Sequence, residues 1–170
     1  MELLMIKTDR LILTPVTHED MDIYTELLTS KEITKYLPGG KPFSPEYIEQ
    51  YVPKKVEHWA KGFGMFFVSL RGNPAVKIGY AGVEVIPDVN LSDIRYAISS
   101  EYQGLGYASE AAQAAIDFVF SAGALDAIYG VAVVDNLPSV KLLRKLGMHE
   151  TDVRLYDSDD LITMLIQART

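Results

Sequence analysis

A glycine-containing turn in the middle of the chain has the residue types of an anion-binding site. The segment from Tyr96 to Ala112 predicts the end of a strand, a tight turn with Gly104 and Gly106, and a helix that begins at once. The first N–H groups of a helix have no partner inside it, and the helix dipole adds partial positive charge there. Glycine lets a ligand approach the backbone closely. The turn therefore predicts a phosphate-binding site.

The common nucleotide motifs do not fit this turn. A P-loop needs Gly-Lys-Ser/Thr at the end of the loop, and no such run follows Gly106. A dinucleotide fingerprint needs a third glycine, where this chain has Ser109, and it follows the first strand of a parallel unit. The turn here follows strands that we predict to be antiparallel. The turn alone therefore does not identify the phosphate-containing ligand.

A second informative segment, residues 135–148, follows one predicted strand later. Asn136 is placed to cap a short helix that ends at Gly147, and Ser139 lies about one turn further on, near the same face. Three basic side chains of this helix gather positive charge in an otherwise acidic chain: Lys141, Arg144 and Lys145. Such a patch would stabilise a nearby polyanionic ligand, because screening favours close charges over distant ones.

Composition restricts the class of protein. The 170 residues are 48% hydrophobic and 23% charged, which is typical of a globular chain, and we expect one domain over residues 1–170. The net charge of −7 opposes a general nucleic-acid binder. The apolar runs are too short for a membrane span, and the first residues lack a signal-peptide pattern. We expect a cytoplasmic protein with neither nucleic acid nor membrane as partner.

Cysteine is absent, which excludes disulfides, thiolate metal sites and a cysteine nucleophile. The three histidines, His18, His58 and His149, lie far apart in sequence, so we expect no metal site and interpret them as ordinary surface or partly buried residues.

The elements that must position these segments follow from hydrophobic periodicity and turn residues. We predict strands at 11–16, 65–70, 76–86, 93–99, 127–135, 149–155 and 161–168, and helices at 17–29, 44–59, 104–122 and 137–146. Thr17 and Asp20 predict a partial capping box, Pro53 a possible kink, and residues 35–42 a loop. The order predicts an α/β (α+β) fold whose central sheet is mixed, mostly antiparallel and flanked by helices.

Three motifs, in order along the chain, resemble the GNAT superfamily of acetyl-CoA-dependent N-acetyltransferases, in its RimJ/RimL-like ribosomal-protein acetyltransferase branch. Residues 9–15 (DRLILTP) are similar to the opening of that branch. Residues 103–108 (QGLGYA) match the superfamily's Q/R-x-x-G-x-G/A pyrophosphate loop, and residues 136–148 carry elements similar to N-x-x-S and L-G-F. The resemblance covers nearly the whole chain and implies a single-domain acyl-CoA N-acyltransferase fold.

The resemblance also implies site residues. Backbone N–H groups of the loop would hold the diphosphate of coenzyme A: Gln103, Gly104, Leu105, Gly106, Tyr107 and Ala108. The backbone of Ala97 and Ile98, where the strand parts from its neighbour, would pair with the pantetheine arm. Asn136 and Ser139 would line the thioester end, with Lys141 assisting on the coenzyme side. A substrate amine would attack the acetyl carbonyl directly, without an acyl-enzyme and without a metal.

Direct attack requires a proton acceptor for the amine and donors for the oxyanion and the leaving thiolate. We predict Ser139 as the thiolate donor and Glu84, near the end of a central strand, as the base. Two residues depart from the family pattern. Leu143 stands where many members carry a tyrosine acid, and Arg95 stands where the branch usually has glycine, so a ribosomal-protein substrate is not implied.

Three functions remain open from the sequence. The first is acetyl transfer to a primary amine of a small molecule or peptide. The second is an acyl-CoA sensor without turnover, which the missing tyrosine favours. The third is a nucleotide-binding protein that uses the same loop for ATP or a dinucleotide.

Structural roles compete with several of these assignments. Glu84 could be a salt-bridged strand residue paired with Arg95, and the basic residues of the short helix could be a solvated face. The aromatic residues Tyr47, Tyr51 and Trp59 have near-helical spacing and are interpreted as core. An exposed edge strand near the C-terminus could support a homodimer.

Overall fold

The computed structural model describes residues 4–37 and 40–169. Within these residues, eight strands form one sheet: β1 (Ile6–Lys7), β2 (Leu11–Pro15), β3 (Met65–Leu70), β4 (Asn73–Ile86), β5 (Leu91–Ile98), β6 (Ala127–Val133), β7 (His149–Glu150) and β8 (Leu161–Gln167). The order across the sheet is β1-β2-β3-β4-β5-β6-β8-β7. Neighbouring strands are antiparallel, except for β5 and β6, which are parallel. The predicted mixed, mostly antiparallel sheet is confirmed.

Helices cover both faces of this sheet. They are α1 (Met21–Leu28), α2 (Lys31–Thr34), α3 (Pro45–His58), α4 (Tyr107–Ser121) and α5 (Leu137–Lys145), with 3₁₀ turns at His18–Asp20, Trp59–Lys61 and Ser100–Tyr102. Helix α4 connects the two parallel strands, as a crossover must. Helix α3 continues through Pro53.

Two hydrophobic cores lie on opposite faces of the sheet. The larger core contains the alanine face of α4, where Ala111, Ala112 and Ala115 are fully buried, so the small side chains let the helix pack closely on the sheet. The second core joins α1 and α3 to β4, with Tyr24 of α1 stacked on Tyr80 at 4.8 Å between ring centroids. Chemistry-bearing side chains that face α1 and α3 are therefore separated from those that face α4 by the thickness of the sheet.

The start of the first helical region follows the predicted capping box. The Thr17 N–H donates to Asp20 Oδ2 at 2.7 Å, and the Thr17 hydroxyl accepts from the Glu19 N–H at 3.2 Å. Asp20 is buried and pairs with Lys77 of β4 at 2.8 Å. The same cap thus begins the helix and fixes it to the sheet.

The other predicted elements are confirmed with small shifts of their ends, apart from three differences. Strand β1 and helix α2 were not predicted, because two residues and one turn are too short for a periodic pattern. The strand predicted at 149–155 is wrong beyond Glu150, since the aspartate-rich residues 151–160 form a loop in which Arg154 pairs with Asp159. In the predicted loop at 35–42, positions 38 and 39 lie outside the described residues.

His58 joins α3 to the sheet. Its Nε2 accepts the Val85 N–H at 3.0 Å, and its Nδ1 lies 2.9 Å from the Phe63 carbonyl oxygen. A ring that accepts at one nitrogen and donates at the other is neutral. Burial lowers the pKa of His58 below the ordinary value of 6.5, against an opposing effect of the Glu84 carboxylate.

This histidine predicts a pH dependence of stability. Because the unfolded chain binds the proton more readily, the contribution of His58 is complete above pH 6.5 and is lost as the pH falls through the lower pKa of the folded state. In urea unfolding we expect the wild type to lose more free energy of unfolding than His58→Gln between roughly pH 7.5 and roughly pH 5.5. His149→Gln, at an exposed position, is the control and should behave as the wild type. Equal losses in wild type and His58→Gln would contradict the assignment.

Candidate active site

Strands β5 and β6 part after a single pair of residues. Strand β5 pairs with β4 along its whole length, from Leu91 opposite Ile86 to Ile98 opposite Gly79. On its other side it pairs with β6 only where Asp93 lies opposite Tyr129. A gap therefore opens between the two parallel strands toward the carboxyl end of β5, and α4 begins just beyond that end.

The backbone at this end of β5 is directed in a definite way. The Ala97 carbonyl faces β4, since a Cβ on Gly79 would lie only 2.1 Å from its oxygen. In a trans peptide the carbonyl and the next N–H point in opposite directions, so the Ile98 N–H faces the gap. The Ile98 carbonyl is held by the Gln103 side chain, whose Nε2 donates to it at 2.9 Å. Ala97 was predicted to pair through its backbone with the pantetheine arm. Its carbonyl is turned away from the gap, toward β4.

The predicted phosphate loop lies at the mouth of the gap. Gly104 and Gly106 have left-handed φ values of 75° and 85°, which glycine adopts without strain. The Glu110 N–H makes the bond to the Gly106 carbonyl, so the N–H groups of Tyr107, Ala108 and Ser109 precede the first intrahelical bond. Gly106 occupies the N-cap position and brings no side chain to it. The positive end of α4 is therefore open to an anion.

One member of the predicted loop, Gln103, differs from the expectation in detail, and Leu105 makes an additional contact through its carbonyl. The Gln103 N–H lies 3.3 Å from the Ser100 carbonyl in a tight turn, so this residue contributes through its side chain to Ile98 and not through a free N–H. Leu105 has an exposed side chain, and its carbonyl accepts from Arg10. The binding role of the loop N–H groups stays a prediction.

A pair of hydroxyl groups bridges the gap. The Tyr96 hydroxyl on β5 lies 2.6 Å from the Ser139 Oγ on α5. Burial raises the pKa of Tyr96, with the hydrogen bond to Ser139 acting in the opposite direction. Ser139 was predicted from its motif. Tyr96 was not among the predicted site residues, because an aromatic residue in a strand is most simply interpreted as core.

The start of α5 corrects one prediction. Asn136 occupies the N-cap position, but its side chain makes no capping hydrogen bond. Pro138 removes one of the two N–H groups that such a side chain usually accepts, and the ψ of Asn136, 72°, lies outside the extended region typical of a cap. The half-buried side-chain amide of Asn136 therefore does not cap the helix and is available to hydrogen-bond another group.

The remaining α5 residues divide between surface and core. Lys141 is exposed, and Arg144 pairs with Glu150 at 2.8 Å, so the predicted basic patch is partly neutralised. Leu143 is 1% exposed and packs on Gly130 of β6, where an added Cβ would lie 2.7 Å from its side chain. The side chain at the family's tyrosine position is thus a core residue in this protein.

A buried charge cluster lies on the other face of the sheet, under α3. Glu84 of β4 is 5% exposed, and its Oε1 is contacted by Lys55 Nζ and by Arg95 Nη1, the latter at 2.9 Å. The predicted pairing of Glu84 with Arg95 is confirmed. Lys55 also lies over the Tyr51 ring, 4.3 Å from its centroid. Both lone pairs of Oε1 are engaged, so this oxygen must release a donor before it can accept a proton.

Asp93 extends the cluster to the loop between β7 and β8. Its Oδ1 accepts from Arg95 Nε at 3.0 Å, and its Oδ2 accepts from the Tyr156 hydroxyl at 2.8 Å. Burial raises the pKa of Asp93, while Arg95 and the Tyr156 hydrogen bond counteract that effect. Two cations and two carboxylates thus balance in charge at the point where β5 and β6 separate.

The aromatic residues predicted as core separate into three environments. Trp59 is a core residue whose Nε1 donates to the Met65 carbonyl at 2.8 Å. Tyr51 is half-buried beside the charge cluster, and Tyr47 is 52% exposed.

Among side-chain atoms of the described residues, the Tyr24 hydroxyl is the one buried polar group without a hydrogen-bond partner.

Two further observations concern the part of the chain that the structure describes. It contains no group of three or more histidine, aspartate or glutamate side chains arranged to hold a metal ion. None of its helices is long and apolar enough to cross a membrane.

A parted pair of parallel strands that leads to an open helix N-terminus, on a mixed sheet flanked by helices, defines the class of acyl-CoA N-acyltransferase folds. The family model of the acetyltransferase (GNAT) domain matches residues 10–149. The chain therefore belongs to the GNAT family and is an acetyltransferase.

Individual relatives agree with this result. The uncharacterized N-acetyltransferase p20 of Bacillus licheniformis is 30% identical over 149 residues, which cover 84% of this chain and 81% of p20. An acetyltransferase from Agrobacterium tumefaciens str. C58 superimposes with a TM-score of 0.84 at 19% identity, covering 98% of this chain and 96% of that one. RimL, a ribosomal L7/L12 alpha-N-protein acetyltransferase solved with coenzyme A, superimposes with a TM-score of 0.78 at 17% identity, covering 96% and 98%.

The charge cluster predicts an order of stability among variants. Glu84→Gln leaves Lys55 and Arg95 beside a neutral amide, whereas Lys55→Met leaves Glu84 paired with Arg95. Removing one partner of a buried ion pair costs about 3 kcal/mol, so we expect Glu84→Gln to lower the free energy of unfolding by about that amount. Lys55→Met should cost less.

Urea unfolding measures this order. Arg144→Gln, which removes an exposed pair, is the control and should change stability by less than about 1 kcal/mol. An equal or larger loss for Lys55→Met would show that Lys55, and not Glu84, is the centre of the cluster.

Proposed function

We propose that the protein transfers the acetyl group of acetyl-CoA to a primary amine of a small molecule or peptide by direct attack. The observation that carries this proposal is the continuity of the β5–β6 gap with the open N-terminus of α4. A gap between two strands can hold the long, thin pantetheine arm of acetyl-CoA. A helix N-terminus can bind the diphosphate at the end of that arm. The coenzyme A bound in the solved RimL structure supports the same choice of donor.

The residues that would hold the donor follow from their placement. The N–H groups of the loop from Gly104 to Ala108 would bind the diphosphate, and the Ile98 N–H would pair with the arm or with the acetyl oxygen. Acetyl-CoA supplies an activated acyl group whose leaving group is a thiolate. Negative charge on the acetyl oxygen would be stabilised by a backbone donor that is already in place, which costs no reorganisation during the reaction.

The hydroxyl pair is suited to the leaving thiolate. Tyr96 and Ser139 carry two protons, and the hydrogen bond between them uses one. The second proton can therefore be donated into the gap without disrupting the pair. We propose this pair as the group that stabilises or protonates the thiolate, which extends the predicted role of Ser139 to a second residue on the opposite wall.

The acceptor would approach from the face covered by α1 and α3. Adjacent residues of a strand point to opposite faces, so Arg95 and its charge cluster lie across the sheet from Tyr96. Glu84, predicted as the base, lies in this cluster with its Oε1 occupied by two cations. We therefore propose that Glu84 acts on the amine through Oε2 or through a water molecule.

Two other functions from the sequence are less well supported. An acyl-CoA sensor would share the site, but membership of an acetyltransferase family supports turnover. A nucleotide-binding protein would use the loop but would have no use for the gap.

The expected homodimer and cytoplasmic location stay predictions. The β7 edge invoked for a dimer has only two residues, both exposed.

Glycine substitutions test the loop. Gly104 and Gly123 flank the two ends of α4, have φ values of 75° and 68°, and have open space where a Cβ would lie. Tryptophan should strain both positions alike, but only Gly104→Trp obstructs the proposed diphosphate site. We expect acetyl-CoA to raise the melting temperature of wild type and Gly123→Trp but not of Gly104→Trp. An equal rise in both variants, or stabilisation by ATP or NAD instead, would refute the assignment.

Removal of the hydroxyls tests the thiolate donor. We expect Tyr96→Phe to lower kcat by about tenfold, the value of one hydrogen bond to a charged group, with a smaller change in the KM for acetyl-CoA. Because the two hydroxyls act as one unit, Tyr96→Phe combined with Ser139→Ala should cost little more than the larger single effect. A fully multiplicative loss would show that they act separately.

The acceptor is identified by a panel of amines with a thiol-reactive dye that reports released coenzyme A. The chain has no cysteine, so the protein itself does not react. Release with at least one primary amine is expected. Binding of acetyl-CoA without release across the panel would favour the sensor.

A further inference from the structure

Arg10 connects the beginning of β2 to the proposed diphosphate loop. Its Nη1 donates to the Leu105 carbonyl at 2.8 Å, its Nε pairs with Glu110 Oε1 at 2.7 Å, and its guanidinium lies 4.3 Å from the centroid of the Tyr107 ring. A Cβ on Gly106 would lie 3.2 Å from its Nη2. One side chain thus contacts the loop, the first residue of α4 and the first turn of that helix, although it is about 95 residues away in sequence.

The contact with Leu105 determines where the next N–H points. The peptide that joins Leu105 to Gly106 is trans, so its carbonyl and its N–H point in opposite directions. With the carbonyl held by Arg10, the Gly106 N–H is directed to the far side of the loop. Gly106, with its left-handed φ and no side chain, would otherwise allow this peptide to rotate more easily.

The contact with Glu110 removes an electrostatic conflict. A carboxylate in the first turn of α4 would repel an anion bound at the helix N-terminus. Burial raises the pKa of Glu110, but hydrogen bonds from Thr8 and Arg10 outweigh this effect and lower it overall, so the group is ionised. Glu110 accepts from Thr8 Oγ1 at 2.5 Å, from the Arg10 N–H at 3.0 Å and from Arg10 Nε. The guanidinium offsets the carboxylate where the loop must receive negative charge.

We propose that Arg10 is a positioning residue for the coenzyme A diphosphate: it orients the Leu105–Gly106 peptide from behind and neutralises Glu110. This inference rests on the proposed function, which supplies the diphosphate. It also assigns a role to one residue of the 9–15 motif, which until this point was supported only by its resemblance to the family. The Arg10 side chain is 44% exposed, and an exposed ion pair contributes little to stability, so its removal should leave the fold intact.

The test compares two ligands that differ in the diphosphate. Acetyl-CoA carries it, whereas S-acetylpantetheine has the same thioester and arm without it. For Arg10→Gln we expect the KM and Kd of acetyl-CoA to rise about tenfold, with kcat at saturation unchanged and the KM of S-acetylpantetheine unchanged. Calorimetry gives the Kd, and release of the free thiol gives kcat and KM.

Arg71→Gln is the matched control. Arg71 donates to the Thr8 carbonyl at 2.8 Å, at the same end of the sheet, so its loss removes an equal charge without a contact to the loop. We expect its affinity for acetyl-CoA to stay within about twofold of wild type, because Arg71 is exposed and its side-chain hydrogen bond goes to Thr8 and not to the loop. Equal weakening in Arg71→Gln and Arg10→Gln would show a general charge effect and overturn the proposal.

Two more variants keep the proposal testable. Arg10→Lys retains the charge but cannot contact Leu105 and Glu110 in one planar fork, and we expect an intermediate affinity. Glu110→Gln added to Arg10→Gln should restore part of the lost affinity, because the repelling carboxylate is gone. If Arg10→Gln fails to fold, Arg10→Lys carries the same two-ligand comparison.

The outcomes separate this inference from the proposed function. If wild type binds acetyl-CoA and Arg10→Gln binds it equally well, Arg10 has no positioning role. If Arg10→Gln weakens both ligands equally, its role is structural. If wild type binds neither acetyl-CoA nor S-acetylpantetheine, the proposed function fails, and this inference fails with it.

Discussion

The hydrogen bonds that β5 does not make with β6 determine the rest of the site. Strand β5 has a complete ladder with β4 but one residue pair with β6. Backbone N–H and C=O groups that lose a strand partner need another, because leaving them buried and unpaired is costly. Gln103 supplies that partner for the Ile98 carbonyl. The Ile98 N–H is left facing the gap. Because the chain leaves β5 at this end, α4 begins at the mouth of the same gap.

Local charge, and not the net charge, decides what this site can bind. The protein carries a formal charge of −7, which would repel a polyanion at long range. Within a Debye length of about 8–10 Å, however, the end of α4 presents free N–H groups, and Arg10 offsets the nearby Glu110. On the opposite face, Lys55 and Arg95 balance Glu84 and Asp93. That balance provides no electrostatic preference for a strongly charged acceptor.

The sequence was sufficient for features that depend on local pattern. The longer strands, the glycine turn and the capping box of Thr17 and Asp20 are all encoded within a few neighbouring residues, whereas the two-residue strands β1 and β7 are too short for such a pattern. The pairing of Glu84 with Arg95 was predictable because both lie on adjacent meander strands. The same reasoning could not find Lys55, which reaches Glu84 from a helix 29 residues earlier in the chain.

Contacts between distant segments also explain the other missed residues. Tyr96 and Ser139 are 43 residues apart, and Arg10 and Leu105 are 95 apart, so no spacing rule connects them. Asn136 was correctly placed at a helix start, but its missing cap depends on a backbone angle and on the proline two positions later. The contacts to which we assign functional roles are of this long-range kind, about which sequence periodicity carries no information.

The position of Leu143 bears on how the leaving group is handled. A tyrosine acid there would extend from α5, but the leucine is fully packed against Gly130 and Met148 and has no polar atom to offer. In the proposed reaction the phenol comes instead from Tyr96, on the β5 wall of the gap, and α5 contributes the smaller hydroxyl of Ser139. A phenol on the strand is attached to the same backbone that would bind the donor's arm. The strand therefore sets where the phenol is attached relative to the thioester, and the hydrogen bond to Ser139 of α5 orients its hydroxyl.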